Sequence, residues 1–159
     1  MKIRIIAIGK VKEKYLKDGI EEYVSRIRPY SQIEIVEVND ESIVEDPNSS
    51  EIKIAIDKEG DRVLKILKPS DYVIGLDLNK KEYTSEEFAS YIEKKFVSGG
   101  SNITFVIGGS YGLSEALKNR CNDSVSLSKM TFLHQMTRLI LLEQIYRAFK
   151  INRNETYHK

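Results

Sequence analysis

A glycine-rich stretch, Gly108-Gly109-Ser110-Tyr111-Gly112, follows directly on the apolar run Ile103–Ile107, an order of residue types that can cradle a ligand. Glycines let a ligand approach the backbone closely, and the free N–H groups of a following helix can bind it. The pattern is not the Gly-x-Gly-x-x-Gly dinucleotide fingerprint, and the absence of a following Gly-Lys-Ser/Thr excludes a P-loop. A plain tight turn is the competing reading. Two other stretches also end apolar runs with unusual residues: Gly75-Leu76-Asp77 and Leu127-Ser128-Lys129-Met130-Thr131-Phe132. Ligands of open α/β sheets sit beyond the carboxyl ends of the strands, so the three stretches make one candidate site if their strands are neighbours.

Groups able to move a proton are few. His134 opens the last apolar helix, where a structural role competes with that of a base, and His158 follows Tyr157 near the end of a polar tail, Lys150–Lys159. Composition alone reads that tail as a solvated terminus. The single cysteine, Cys121, permits no intramolecular disulfide and reads as a small core residue; with two histidines no metal site is expected. Asp77 and Glu115 could touch a ribose or act as caps. Arg138, Arg147, Lys150 and Arg153 recur at roughly helical intervals behind Lys129, as a solvated face or as a track for RNA phosphates, and Lys10, Lys12 and Lys14 could extend it.

The overall charge of +1 hides a polarity along the chain. Residues 1–30 and 127–159 each carry a net +4, whereas residues 31–126 carry −7. A fold that brings the two ends onto one face would present an electropositive surface to a phosphate backbone.

These groups must be positioned by a chain of 159 residues, 41% apolar and 31% charged, which is the composition of one globular domain spanning 1–159. Strands are expected at 3–8, 32–38, 72–77, 103–107 and 124–127, with helices at 13–27, 51–67, from 85 to the glycines at 99–100, 113–119 and 131–149. The alternation predicts an α/β fold, a mostly parallel sheet with helices on both faces. No run approaches the length that spans a bilayer and no signal peptide is visible, so a cytoplasmic protein is expected. The last helix is apolar around much of its cylinder, which predicts two buried faces, one against its own sheet and one against a second copy in a homodimer.

Taken together, Ile107–Leu113, Leu127–Gln135, Arg138, Glu143-Gln144-Ile145-Tyr146-Arg147-Ala148 and the terminal Tyr157-His158-Lys159, with Ile8-Gly9-Lys10 near the start, closely resemble the small SPOUT-class (α/β-knot) methyltransferases of the ribosomal RNA large-subunit methyltransferase H family. The resemblance covers the whole chain, with separated motifs in the family's order. It implies a deep C-terminal trefoil knot, which ordinary topology rules would reject. It also implies methylation of N3 of a pseudouridine in 23S rRNA within the ribosome, with S-adenosylmethionine as cofactor and a homodimer as the working unit. By matched position, Leu76, Gly108, Leu127, Ser128, Lys129, Met130, Thr131 and Phe132 would contact the cofactor. His158 and Tyr157 would be the catalytic pair, with Arg138, Arg147, Arg153 and Lys159 on the RNA. One departure is Thr156, where the family's tail carries proline. The competing readings are a non-catalytic RNA-binding module of the same fold and a flavodoxin-like nucleotide binder. The latter is disfavoured by Gly9-Lys10-Val11-Lys12, where a phosphate loop would be rich in Ser and Thr.

Overall fold

A computed structural model describes residues 1–159. Five strands, β1 (Lys2–Ile8), β2 (Gln32–Val38), β3 (Val73–Leu76), β4 (Asn102–Ile107) and β5 (Asp123–Val125), form one sheet in the order β2-β1-β4-β3-β5. Every pairing is parallel, as the alternation with helices predicts. Charged β2 lies at one edge, where only one neighbour has to be satisfied, and β1 and β4 hold the middle.

The two-residue period of the strands divides the core. Ile3, Ile5, Ile103, Phe105 and Ile74 face a layer made by α1 (Lys14–Ile27), α3 (Ser85–Ser98) and α5 (His134–Asn152). Ile6, Ile8, Val106 and Val73 face the layer of α2 (Ser49–Ile66) and α4 (Glu115–Arg120). Gly60 in the middle of α2 is explained by that second layer, because a Cβ there would lie 2.1 Å from the Oγ of Ser114. Ser114 in turn caps α4 by accepting the N–H of Leu117.

Boundaries shift where caps and packing override periodicity. Helix α2 begins two residues ahead of the expected Glu51, because Asn48 and Glu51 form a reciprocal capping box. Helix α5 begins at His134 rather than 131 and continues three residues beyond 149, closing with Arg153 N–H on the Phe149 carbonyl. It lies between α1 and α3, and its breadth of apolar surface is largely taken up inside the chain: Leu141, Leu142, Ile145, Tyr146, Ala148 and Phe149 are all buried there. No helix is long and apolar enough to cross a membrane.

Candidate functional site

A cleft of about 490 Å³ opens at the carboxyl ends of β3, β4 and β5, within the range of roughly 300–1,000 Å³ that takes nucleotide-sized ligands. The sheet order puts β3 between β4 and β5, so the three stretches singled out in the sequence converge on it. Leu76, Gly108, Leu127, Ser128, Met130, Thr131 and Phe132 line the cleft, together with Asp77, Tyr111, Lys118 and His134. Lys129 is exposed and does not line it.

The walls are held by specific bonds. Ser126 is buried after β5, with its hydroxyl 3.1 Å from the Leu78 carbonyl and 2.9 Å from that of Ser128, so one side chain ties the β3 loop to the β5 loop. The Met130 N–H donates to Ser128 Oγ at 3.0 Å and shapes the next turn. On the opposite wall Gly108 packs against backbone: a Cβ there would sit 2.7 Å from the carbonyl carbon of Gly112, which itself holds φ +87°. Only glycine keeps this loop closed. Asp77 and Lys118 face each other at 3.8 Å across the floor, a pairing that the sequence does not announce because Lys118 lies 41 positions away. Leu76, Ile107 and Phe132 supply apolar surface for a planar ring, and loop N–H groups and Asp77 supply polar contacts. The residues present fit a nucleoside-bearing cofactor.

His134 stands at one end of the cleft beside Gly9 and Asp40, and burial, opposed by Asp40, lowers its pKa below the ordinary histidine value. It is therefore a neutral imidazole at neutral pH.

The tail is docked, contrary to the composition-based reading. The Tyr157 ring packs edge-on against Tyr146 with centroids 4.8 Å apart, and its hydroxyl donates to Glu143 at 3.1 Å and lies 3.2 Å from Tyr23 Oη. Burial, then the Tyr23 contact and the Glu143 charge, raise the phenol pKa well above its usual value, so Tyr157 can donate a hydrogen bond but does not ionise near neutrality. Arg147 pairs with Glu143, stacks 4.8 Å over the Tyr157 ring and reaches His158 Nδ1 at 3.1 Å. A guanidinium can only donate, so Nδ1 is the acceptor and Nε2 carries the hydrogen given to Glu86 at 2.8 Å. Sequence reasoning missed Glu143 and Glu86 as partners of the tail. The i,i+4 spacing of Glu143 and Arg147 was a usable signal for the first, and nothing in the sequence connects Glu86 to residue 158.

The four expected RNA contacts separate. Arg153 and Lys159 are exposed, and Arg147 is half-buried under the tail. Arg138 departs from the phosphate track: it is 3% exposed, bonded to Glu37 at 2.7 Å and to the Gly9 carbonyl at 3.2 Å. Nine residues at 3.6 per turn rotate a helix by two and a half turns, so Arg138 and Arg147 point to opposite sides of α5.

Tail and cleft are apart within one chain. The cleft ends on α5 at Thr137, whereas the tail is anchored at Glu143, Tyr146 and Arg147, so the His158 anchor lies about 15 Å further along the helix at 1.5 Å per residue.

The chain matches a family model described as "Predicted SPOUT methyltransferase" over residues 1–158. It is 50% identical to the ribosomal RNA large subunit methyltransferase H of Carboxydothermus hydrogenoformans over 159 residues, covering all of both chains. The proteins of that name from Bacillus pumilus and Clostridium acetobutylicum are 50% and 48% identical, again over the full length of each chain. A solved probable methylase family protein of Haemophilus influenzae Rd KW20 overlaps 96% of this chain and 66% of its own, at a TM-score of 0.49 and 14% identity.

Proposed function

This chain belongs to the SPOUT methyltransferase family, and on that premise we propose that it is an rRNA methyltransferase that uses S-adenosylmethionine and acts on N3 of a pseudouridine in 23S rRNA of the ribosome. The observation that carries the reading is the convergence of Leu76, Gly108 and Leu127–Phe132 on one cleft of nucleotide size. When bound, the cofactor supplies an electrophilic methyl group. Leu76, Leu127 and Phe132 would enclose its adenine, and the Gly108–Gly112 backbone would close on it with no side chain between. Lys129, exposed beside this wall, would stand outside the cofactor's contacts.

The remaining demands are alignment of the base and removal of the N3 proton. Tyr157, held as a phenol, would orient the base by turning its one hydroxyl proton from Glu143 to the base, and His158 would accept the N3 proton at Nδ1 once RNA draws Arg147 away, with Nε2–H kept on Glu86. Arg147, Arg153 and Lys159, clustered at this end, would meet phosphates. The distance between tail and cleft supports a homodimer in which the tail of one subunit serves the cleft of the other. The knotted path implied by the family is supported by the return of the chain from edge strand β5, through residues 126–133, to a helix packed centrally between α1 and α3.

The test is transfer of labelled methyl from S-adenosylmethionine to ribosomes from a strain lacking the protein, read by nucleoside mass spectrometry. N3-methylpseudouridine is the expected product. Cofactor binding without any labelled rRNA would overturn the substrate, and folded protein that binds no cofactor would favour the non-catalytic RNA-binding module.

A further inference from the structure

The connection from β1 into α1 has features that the folded chain does not use. Within the eight residues Lys10–Lys17 stand four lysines and one acid, Glu13. Lys10 and Lys12 are exposed and enter no ion pair, Lys14 is paired with Asp18 at 2.6 Å, and Lys17 lies about 200° round α1 from Tyr15, on the other side of buried Leu16. Among them Tyr15 is 62% exposed. Its ring joins none of the aromatic or cation contacts that occupy Tyr23, Tyr30, Tyr83, Tyr91, Tyr146 and Tyr157, and its hydroxyl has no hydrogen-bond partner. A large aromatic left in water buries nothing and contributes little to the fold.

The segment is nevertheless fixed in place. Val11, between Lys10 and Lys12, and Leu16, next to Tyr15, are buried. The Val11 N–H donates to Glu37, the Lys12 N–H donates to Gln135 at 3.3 Å, and Arg138 grips the Gly9 carbonyl from α5. Gln135 is next to His134, which forms one end of the cleft, so the lysines and Tyr15 are held on ground continuous with the cleft's rim.

We propose that Lys10, Lys12 and Tyr15 form a contact for single-stranded RNA flanking the target nucleotide, with the lysines on successive phosphates and the Tyr15 ring stacked on an unpaired base. The inference rests on the rRNA reading above and adds a surface to it. Charge complementarity selects RNA over an acidic protein because the exposed aromatic lies among the cations: stacking on an aromatic face is sequence-tolerant and needs only an unstacked base. The fixed backbone means that little order has to be created when RNA arrives.

The experiment measures steady-state methylation of ribosomes from a strain lacking the protein, with cofactor affinity by calorimetry as a check on folding. Tyr15→Ala should raise the KM for ribosomes about 5- to 150-fold, the range expected when one base loses its stacking partner, with cofactor affinity kept. Tyr15→Phe, which retains the ring, should stay near wild type. The double variant Lys10→Ala/Lys12→Ala should reduce the slope of log affinity against log salt by about two, one for each phosphate no longer neutralised. A photoreactive benzoylphenylalanine at position 15 should crosslink to rRNA. An active wild type with KM unmoved by Tyr15→Ala, or a crosslink to ribosomal protein alone, would overturn this surface and leave the methyltransferase reading standing. A wild type that binds cofactor but methylates no rRNA would overturn the substrate reading and this surface with it.

Discussion

Replacing Gly108 by alanine tests the cleft at its tightest point. The added Cβ would lie 2.7 Å from the Gly112 carbonyl carbon, 2.9 Å from its oxygen and 3.1 Å from its Cα. Ordinary contact begins near 3.4 Å, so the two strands of the loop must part by about 0.7 Å. The obstacle is backbone, and it cannot rotate away as a side chain would. Gly112 is held by its N–H on the Gly109 carbonyl at 3.1 Å, and the next residues, Leu113 and Ser114, are buried. Overpacking of this kind costs about 1–3 kcal/mol. Without ligand the loop can open and relieve the strain, but a ligand that needs the closed loop restores it. Affinity for S-adenosylmethionine should therefore fall roughly 5- to 150-fold at 1.4 kcal/mol per decade, measured by calorimetry. Gly100→Ala is the control: it has φ +76° with nothing within 4 Å of its Cβ, and lies before β4, at the opposite end of the strand from the cleft. It should lower the melting temperature and leave cofactor affinity alone. A Gly108→Ala protein that melts earlier but binds S-adenosylmethionine within twofold of wild type would refute the argument that this loop is the cofactor's wall.

Deleting Tyr157–Lys159 should leave cofactor affinity intact and abolish methyl transfer, while removing the Tyr146–Tyr157 contact costs about 0.5–1.5 kcal/mol in denaturant unfolding; retained transfer would make the docked tail incidental. Arg138→Met removes the partner of the Gly9 carbonyl and should cost about 1–3 kcal/mol, with the salt dependence of RNA binding unchanged; a shallower salt slope would return Arg138 to the phosphate contacts. Glu59 is 4% exposed beneath Gly109, and burial raises its carboxyl pKa above the usual 4.5. Its contribution to stability is thus full below pH 4.5 and is lost as the pH rises through the raised value. Glu59→Gln, which keeps an oxygen for the Glu41 N–H, should be more stable than wild type at pH 7.5 and flatten that dependence; lower stability of the variant at pH 7.5 in denaturant titration would contradict it.

What the sequence made legible was governed by local periodicity. β-branched runs ended by glycine marked β1 and β4, apolar runs closed by polar residues marked β2 and β3, and β5 showed only as a short stretch between two helical patterns, so the three strand ends of the cleft were legible because each signal lies within a few residues. Helix spacing was read correctly for α3, where Phe88, Ala89, Ile92 and Phe96, at helical intervals after residue 85, are buried. It failed for Arg138, where a run of cations at roughly helical intervals concealed a half-turn between positions 138 and 147. The Asn48-x-x-Glu51 box was present in the sequence but sat in a polar stretch that reads as loop. The tail was the least legible element. Its anchors, Tyr23, Glu86, Glu143 and Tyr146, come from three different helices, and its own residues hold on by one aromatic edge and a network of charged and polar bonds that no hydrophobic pattern announces.

That network poses the question of which cleft the tail serves. Residues 153–159, fully extended at about 3.3 Å each, would reach about 23 Å, enough to swing to the cleft of the same chain if every anchor were released. Release would break the bonds of Tyr157 to Glu143 and of His158 to Arg147 and Glu86, and would leave the Tyr146 edge bare. In a two-fold dimer the tail would keep its edge on Tyr146 and its His158–Glu86 bond, and only the Tyr157–Glu143 and His158–Arg147 bonds would exchange for RNA. Mixing distinguishes the two routes. A Gly108→Val subunit has a blocked cleft and an intact tail, and a subunit lacking Tyr157–Lys159 has the reverse. Reassembled in equal amounts, half of the dimers are mixed and each has one complete site if tails act across the interface, so about a quarter of wild-type activity should return. If each tail serves its own cleft, no mixed dimer contains a complete site, and a mixture as inactive as its parts, with mixed dimers demonstrated by mass, would refute the shared site.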